Sequence, residues 1–170
     1  MQGQAGVIVA ITIRHAEAAD PTAIAELTAE MDRFYGIAGQ EPHGDRIAQI
    51  HDAIFGDQPA AYALLAWDGE RLAGYSFLCP AVRLTRSLYL KEPYVSQSAR
   101  GACIGTLLMR GLFEIAAKRG CSRVEWTTDE DNTGAQAFYE KLGAQPDSSK
   151  WFYRVQGNDL LAGVGIGLDR

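Results

Sequence analysis

A mixed α/β fold is predicted, with a mostly antiparallel central sheet and a parallel β-α-β core. Three observations predict it. Hydrophobic periodicity along the 170 residues changes in the order β-α-α-β-β-β-α-β-α-β, the pattern of a layered α/β domain. Asp68-Gly69 sits between two apolar runs, a strong signal for a two-residue hairpin turn and so for antiparallel neighbours. Residues 88–124 run strand, helix, strand. Such a crossover makes its two strands parallel neighbours.

Residues 7–14, Val-Ile-Val-Ala-Ile-Thr-Ile-Arg, are rich in β-formers and predict a first strand. Asp20-Pro21 opens a helix, with Asp expected as cap and Pro at the first helical position. Ile24, Leu27, Met31 and Phe34 form its apolar stripe. A second helix is expected over 45–54, with Ile47, Ile50 and Ile54 on one face, ended by residues 56–59. Strands follow at 62–67 and 72–78. Pro80 is expected to disturb the latter, which drifts to Leu84. The next strand covers 88–95. Ile104, Leu107, Leu108, Leu112 and Ile115 mark a helix that ends at Gly120. A strand at 123–127 and a helix at 134–142 come next, with Gly143 expected at the helix C-terminus. Residues 151–155 predict a final strand, and 160–168 a further one.

This length predicts one domain over 7–170, preceded by a polar, glycine-containing tail at 1–6 that is expected to be disordered. The composition, 47% hydrophobic and 22% charged, is that of an ordinary globular protein. A net charge of −5 argues against nucleic acid as a partner. The apolar stretch 7–13 is too short to span a membrane and has no basic residue before it, so neither a span nor a signal peptide is expected. Cys79, Cys103 and Cys121 are an odd, scattered set without a CxxC pair. Neither a zinc site nor a disulfide frame is indicated, and a reducing cytoplasm is the expected setting. Cys121 is expected to be buried. His15, His43 and His51 show no metal-ligand spacing, and no metal is expected.

Chemistry concentrates in two segments. From Val95 to Leu108 the chain reads Val-Ser-Gln-Ser-Ala-Arg-Gly-Ala-Cys-Ile-Gly-Thr-Leu-Leu. It passes from a strand through an Arg/Gly turn into a helix. That geometry aims unpaired backbone N–H groups and the positive helix end at one point, where a pyrophosphate can bind. No Lys follows Gly105, so a phosphate-binding P-loop does not fit. Gly163, Gly165 and Gly167 cannot be a dinucleotide fingerprint, because only three residues follow them. No Gly-x-Ser-x-Gly elbow is present. The second segment is Ala137-Phe138-Tyr139-Glu140-Lys141-Leu142-Gly143-Ala144, preceded by Asn132. Phe138 and Leu142, four apart, are expected to face the core, with Tyr139 turned about 100° away. Asn132 suits a helix cap.

Together these segments resemble the acetyl-CoA site of the GNAT superfamily of N-acetyltransferases, over roughly residues 8–155. The resemblance implies that family's acyl-CoA N-acyltransferase fold, with helices on both faces of the sheet, and acetyl-CoA as co-substrate. It places Tyr94, Val95, Arg100, Gly101, Ala102, Cys103, Ile104, Gly105, Thr106, Asn132 and Tyr139 at the cofactor. Arg100 and Gly105 match the family pattern, whereas Cys103 stands where Gly is usual. Tyr139 is implied as general acid. Phe55-Gly56-Asp57-Gln58-Pro59 and Leu88-Tyr89-Leu90-Lys91-Glu92 look most like the spermidine/spermine and thialysine acetyltransferase branch. That branch tends to carry two acidic residues where this chain has Lys91-Glu92, which leaves Glu92 as the base candidate.

The resemblance implies direct transfer to a primary amine of a small molecule, polyamine-like or amino-acid-like, by a homodimer. A catalytically degenerate CoA-binding module is the rival, supported by Cys103 and Lys91. Acetylation of a protein or antibiotic amine is a further alternative. A base is needed in either enzymatic case. An alkylamine of pKa about 10.4 must shed its proton at pH 7, which costs roughly 3.4 units, or about 4.6 kcal/mol.

Overall fold

The computed structural model describes residues 10–37, 43–82, 86–155 and 159. The chain divides into two compact units, residues up to Thr127 and residues from Thr128. The expected tail 1–6, the end of the disturbed strand at Leu84 and the further strand 160–168 lie outside the described residues.

The first unit contains β1 (Ile11–His15), α1 (Pro21–Tyr35), α2 (His43–Phe55), β2 (Tyr62–Asp68), β3 (Arg71–Val82) and β4 (Arg86–Val95). A short 3-10 turn, Gln97–Ala99, leads into α3 (Ile104–Lys118), and β5 (Arg123–Glu125) closes the unit. The sheet order is β1-β2-β3-β4-β5. The first three pairings are antiparallel and β4–β5 is parallel, as the hairpin signal and the crossover predict.

Alternation along the strands supplies both faces. Ala63, Leu65 and Tyr75 pack with Ile24 and Leu27 of α1 and Ile54 of α2 in one core. On the other face α3 approaches the sheet closely. A Cβ on Gly74 would lie 3.0 Å from the Tyr94 carbonyl oxygen and 3.1 Å from Ile104 Cγ2. Hydrogen there is what lets the first turn of α3 rest on β3. Ile104 is 2% exposed, so the helix start is anchored by burial.

Several local expectations are corrected. Asp20 makes no side-chain cap for α1. Its carboxylate instead accepts from the Arg14 guanidinium at 2.6 and 2.9 Å and from the Glu17 N–H at 2.6 Å. A charged bidentate partner outcompetes the neutral helix N–H groups. Burial opposes that arrangement less than the Arg14 bond favours it, and the Asp20 pKa is held below its ordinary value. Pro80 does not interrupt β3, which continues regularly to Val82 with Pro80 opposite Leu88. β2 begins opposite Leu78. Pro80 therefore lies where only one edge of β3 is paired, a position a strand proline tolerates. β5 ends at Glu125 rather than 127, and Cys121 is half-buried rather than buried.

The second unit holds α4 (Thr133–Lys141). Asn132 caps it by accepting from the Ala135 N–H at 3.1 Å. At the other end Gly143 takes φ +87, and Ala144 N–H reaches the Tyr139 carbonyl at 3.1 Å, a left-handed helix stop. Residues 151–155 form no strand. Trp151 and Tyr153 are 87% and 85% exposed. β-prone residues become a strand only against a partner edge, and α4 is the one regular element described after Thr128.

Candidate active site

β4 departs from regular pairing where the sequence analysis places its base. Tyr94 pairs with Tyr75 and Lys91 with Phe77. Glu92 and Pro93 thus stand opposite the single residue Ser76, a β-bulge. Glu92 adopts φ +47, a region a glutamate enters only at some cost. Its carboxylate is exposed, yet near enough to Tyr75 and Cys79 to add to the raised pKa that burial gives both groups.

The same strand opens away from its parallel neighbour. β5 pairs with β4 only over Ser87–Tyr89. From Leu90 onward that edge of β4 has no strand partner among the described residues. Unpaired peptide groups on such an edge accept an extended ligand, as a strand would be accepted.

Beyond Val95 the chain turns sharply into α3. Arg100 is extended, Gly101 has φ +82, and Cys103 is left-handed at φ 60, ψ 11. Cys103 is the residue before the first helical one and is exposed. Its conformation explains why glycine suits that position. The N–H groups of Gly101, Ala102, Cys103, Ile104, Gly105 and Thr106 meet no protein acceptor among the described residues. The first bond into the turn is Leu107 N–H to the Cys103 carbonyl, at 3.0 Å. No acidic residue occupies the first turn of α3. The cradle therefore fits a diphosphate by geometry and by sign.

Arg100 does not simply point into this cradle. Its guanidinium stacks 4.4 Å from the Phe34 ring centroid and 5.9 Å from that of Tyr94, and Nε donates to the Val95 carbonyl at 3.4 Å. Tyr94 is 3% exposed, with its ring in the α1-side core. Only its backbone remains for a ligand. Its hydroxyl donates to Glu30 at 3.1 Å, and burial together with that carboxylate pushes its pKa up to about 12.

Thus Glu92, Tyr94, Val95 and Arg100 through Thr106 are gathered along one strand end and one turn of the first unit. Asn132 and Tyr139 belong to the second unit. There Tyr139 is half-buried, with its ring centroid 5.3 Å from that of Phe138. Gln136 donates to the carbonyls of Asp129 and Glu130 at 3.0 and 2.8 Å, which ties down the loop before α4.

Sequence reasoning missed the polar groups behind the turn. Glu30 of α1 accepts from Tyr94, from the Ser96 hydroxyl at 3.1 Å and from the Gln97 N–H at 2.9 Å. Ser98 lies 3.0 Å from Ser96 and accepts from Arg71 at 2.6 Å. No local signal marks Glu30, whose bond to Gln97 spans 67 residues. Among the described residues no group of three or more His, Cys, Asp or Glu is placed to hold a metal. No described helix is long and apolar enough to cross a membrane.

The family model of the acetyltransferase (GNAT) family matches residues 24–144. A thialysine N-epsilon-acetyltransferase of Mus musculus is 27% identical over 166 residues, covering 89% of this chain and 96% of that protein. An L-ornithine N5-acetyltransferase of Arabidopsis thaliana is 33% identical over 87 residues, 51% of this chain and 36% of the relative. Among solved structures, an integron cassette protein from V. cholerae superposes with a TM-score of 0.83 at 25% identity, covering 91% of this chain and 97% of its own.

Proposed function

The chain belongs to the acetyltransferase (GNAT) family and is an acetyl-CoA-dependent N-acetyltransferase; from that premise we propose that its acceptor is the primary amine of a small, amino-acid-like molecule. The observation that carries this is the pair at the β4 bulge. Glu92 is lifted out of the ladder at φ +47. Beside it Lys91 is exposed and makes no ion pair among the described residues. A carboxylate next to a cation suits an acceptor that is itself zwitterionic. A polyamine would bring its second ammonium toward Lys91 and be repelled. The relatives named for thialysine and ornithine support the same class.

The residues divide the work as follows. N–H groups of Gly101–Thr106 and the α3 dipole hold the diphosphate of acetyl-CoA. The free edge of β4, with the backbone of Tyr94 and Val95, holds the extended arm. Arg100 fixes the entry to the turn through Phe34 and the Val95 carbonyl. Acetyl-CoA, when bound, supplies an activated acyl thioester. Glu92 takes the ammonium proton, directly or through water; presenting the neutral amine at pH 7 costs about 4.6 kcal/mol, and the carboxylate supplies the local acceptor for the proton that must leave. Tyr139 of the second unit, on the family resemblance, holds the proton for the departing sulfur. Asn132, besides its cap, adds a polar contact to the cofactor.

The test is a panel of amines with acetyl-CoA, read by release of free thiol. Thialysine, lysine and ornithine are expected to turn over faster than spermidine or putrescine, and Lys91→Glu to narrow or reverse that order. Turnover with diamines alone refutes the acceptor class, and no turnover with any amine favours a catalytically degenerate module. We also propose a cytoplasmic homodimer on the branch resemblance, and a monomeric mass by light scattering at tens of micromolar protein refutes the assembly.

A further inference from the structure

We propose that Glu30, on α1, is a positioning residue for the cofactor site, holding in place the strap that presents the diphosphate-binding turn. The inference rests on the acetyl-CoA reading of that turn. Three donors from consecutive parts of the strap converge on this one carboxylate. Tyr94 O–H and Gln97 N–H share Oε1 at 3.1 and 2.9 Å, and Ser96 O–H takes Oε2 at 3.1 Å. Tyr94 and Ser96 are each 3% exposed. Neither donor has bulk water as a ready substitute, and loss of Glu30 leaves the Tyr94 hydroxyl without its acceptor and the Ser96 hydroxyl with Ser98 alone. Burial opposes ionisation of Glu30, but the Gln97 N–H and the two hydroxyls outweigh it, and its pKa lies below the ordinary glutamate value.

The strap spans the last residues of β4 and the start of the 3-10 turn, immediately before Arg100. Two further contacts brace it. Ser96 and Ser98 hydroxyls lie 3.0 Å apart, and Arg71 at the start of β3 donates to Ser98 at 2.6 Å. Arg100 then stacks on Phe34, one helical turn beyond Glu30 on α1. Helix α1 thus grips the chain on both sides of residues 97–99. The grip matters because the turn binds through backbone N–H groups. Backbone donors cannot adjust by side-chain rotation, so their aim is set by the segment that carries them. Glu30 acts through Ser96 and Gln97 and not by contact with the cofactor.

The test compares Glu30→Ala and Glu30→Gln with the wild-type protein. Calorimetric acetyl-CoA affinity, amide exchange over residues 97–106 without ligand, and kcat at saturating acetyl-CoA are read. Glu30→Ala is expected to weaken acetyl-CoA binding at least tenfold, to speed exchange over 97–106, and to leave saturated kcat within about twofold. Glu30→Gln keeps one oxygen for Tyr94 and Gln97 and is expected to recover most of the affinity, with a loss of about threefold. Should Glu30→Ala not fold, the threefold loss and faster Gln97 exchange in Glu30→Gln decide the matter. A wild type that binds acetyl-CoA beside variants that bind it equally well overturns the positioning role alone. A wild type that binds no acetyl-CoA overturns the cofactor reading and this proposal with it.

Discussion

Cys103→Gly tests the cradle through its backbone. Cys103 occupies the left-handed region at φ 60, ψ 11, immediately before α3. An L-residue other than Asn or Asp pays about 1–2 kcal/mol there, from Cβ crowding against its own carbonyl. Glycine escapes that strain but loses more freedom on folding, about 0.5–1 kcal/mol. Cys103 is exposed, so its sulfur contributes no burial that glycine would forfeit. The balance is a net gain of about 0.5–1 kcal/mol, roughly 1–4 °C in melting temperature for a chain of this size. Cys103→Ala is the control, since alanine keeps the Cβ and therefore the strain.

The assay is thermal melting under reducing conditions, followed by acetyl-CoA titration of the three proteins. Glycine is expected to melt above both wild type and alanine, and to bind acetyl-CoA about two- to fivefold more tightly, because a diphosphate approaches a bare backbone more closely. A Cys103→Gly protein that melts at or below Cys103→Ala refutes the strain argument. One that melts higher but binds acetyl-CoA more weakly refutes the placement of the diphosphate on this turn.

Tyr139→Phe keeps the ring beside Phe138 and removes only the hydroxyl. If that hydroxyl protonates the leaving sulfur, kcat falls by on the order of 10² to 10⁴ with acetyl-CoA affinity within about twofold, and normal kcat under chemistry-limited conditions removes Tyr139 from the mechanism. Acid stability should follow Asp20 and Glu30, whose folded pKa values both lie below the ordinary ones. Groups depressed in the fold contribute stability in full above about pH 4, and lose it as pH falls through the lower folded values. Urea unfolding between pH 7 and 3 should show Asp20→Asn less stable at pH 7 and with a shallower acid slope, and an unchanged slope refutes the Arg14–Asp20 assignment.

Legibility followed the range of the interactions. The β2–β3 hairpin and the Asn132 cap depend on neighbours a few residues apart; the cap is found where the sequence places it, and the hairpin forms with Asp68 paired to Arg71, so that its two-residue loop is Gly69-Glu70, one residue later than expected. The 88–124 crossover spans more chain, but the strand-helix-strand order fixes its parallel pairing. Asp20 stands at the N-cap position as expected, but its side chain makes no cap because its partner is a charged group on a different element, Arg14 of β1. Residues 151–155 form no strand despite their composition, because β-propensity says nothing about whether an edge is available. Pro80 suggests a disturbed strand because the extent of β2, which decides whether the second edge of β3 is paired, is not encoded near Pro80.

The two halves of the candidate site differ for the same reason. The proposed diphosphate cradle consists of backbone N–H groups, and a backbone that must turn twice through positive φ before a helix leaves a local mark: Gly101, and the irregular Cys103 in a glycine's place. The proposed base is a side chain, but what exposes Glu92 is a bulge created by mismatched pairing between β3 and β4. Pro93, which lacks a donor, is the single local hint that the ladder breaks there. Glu30 carries no hint at all, because a polar residue beside the apolar stripe of an amphipathic helix is the commonest arrangement there is. Its contact with the Gln97 N–H exists only once 67 residues of chain have folded back to bring Gln97 onto it.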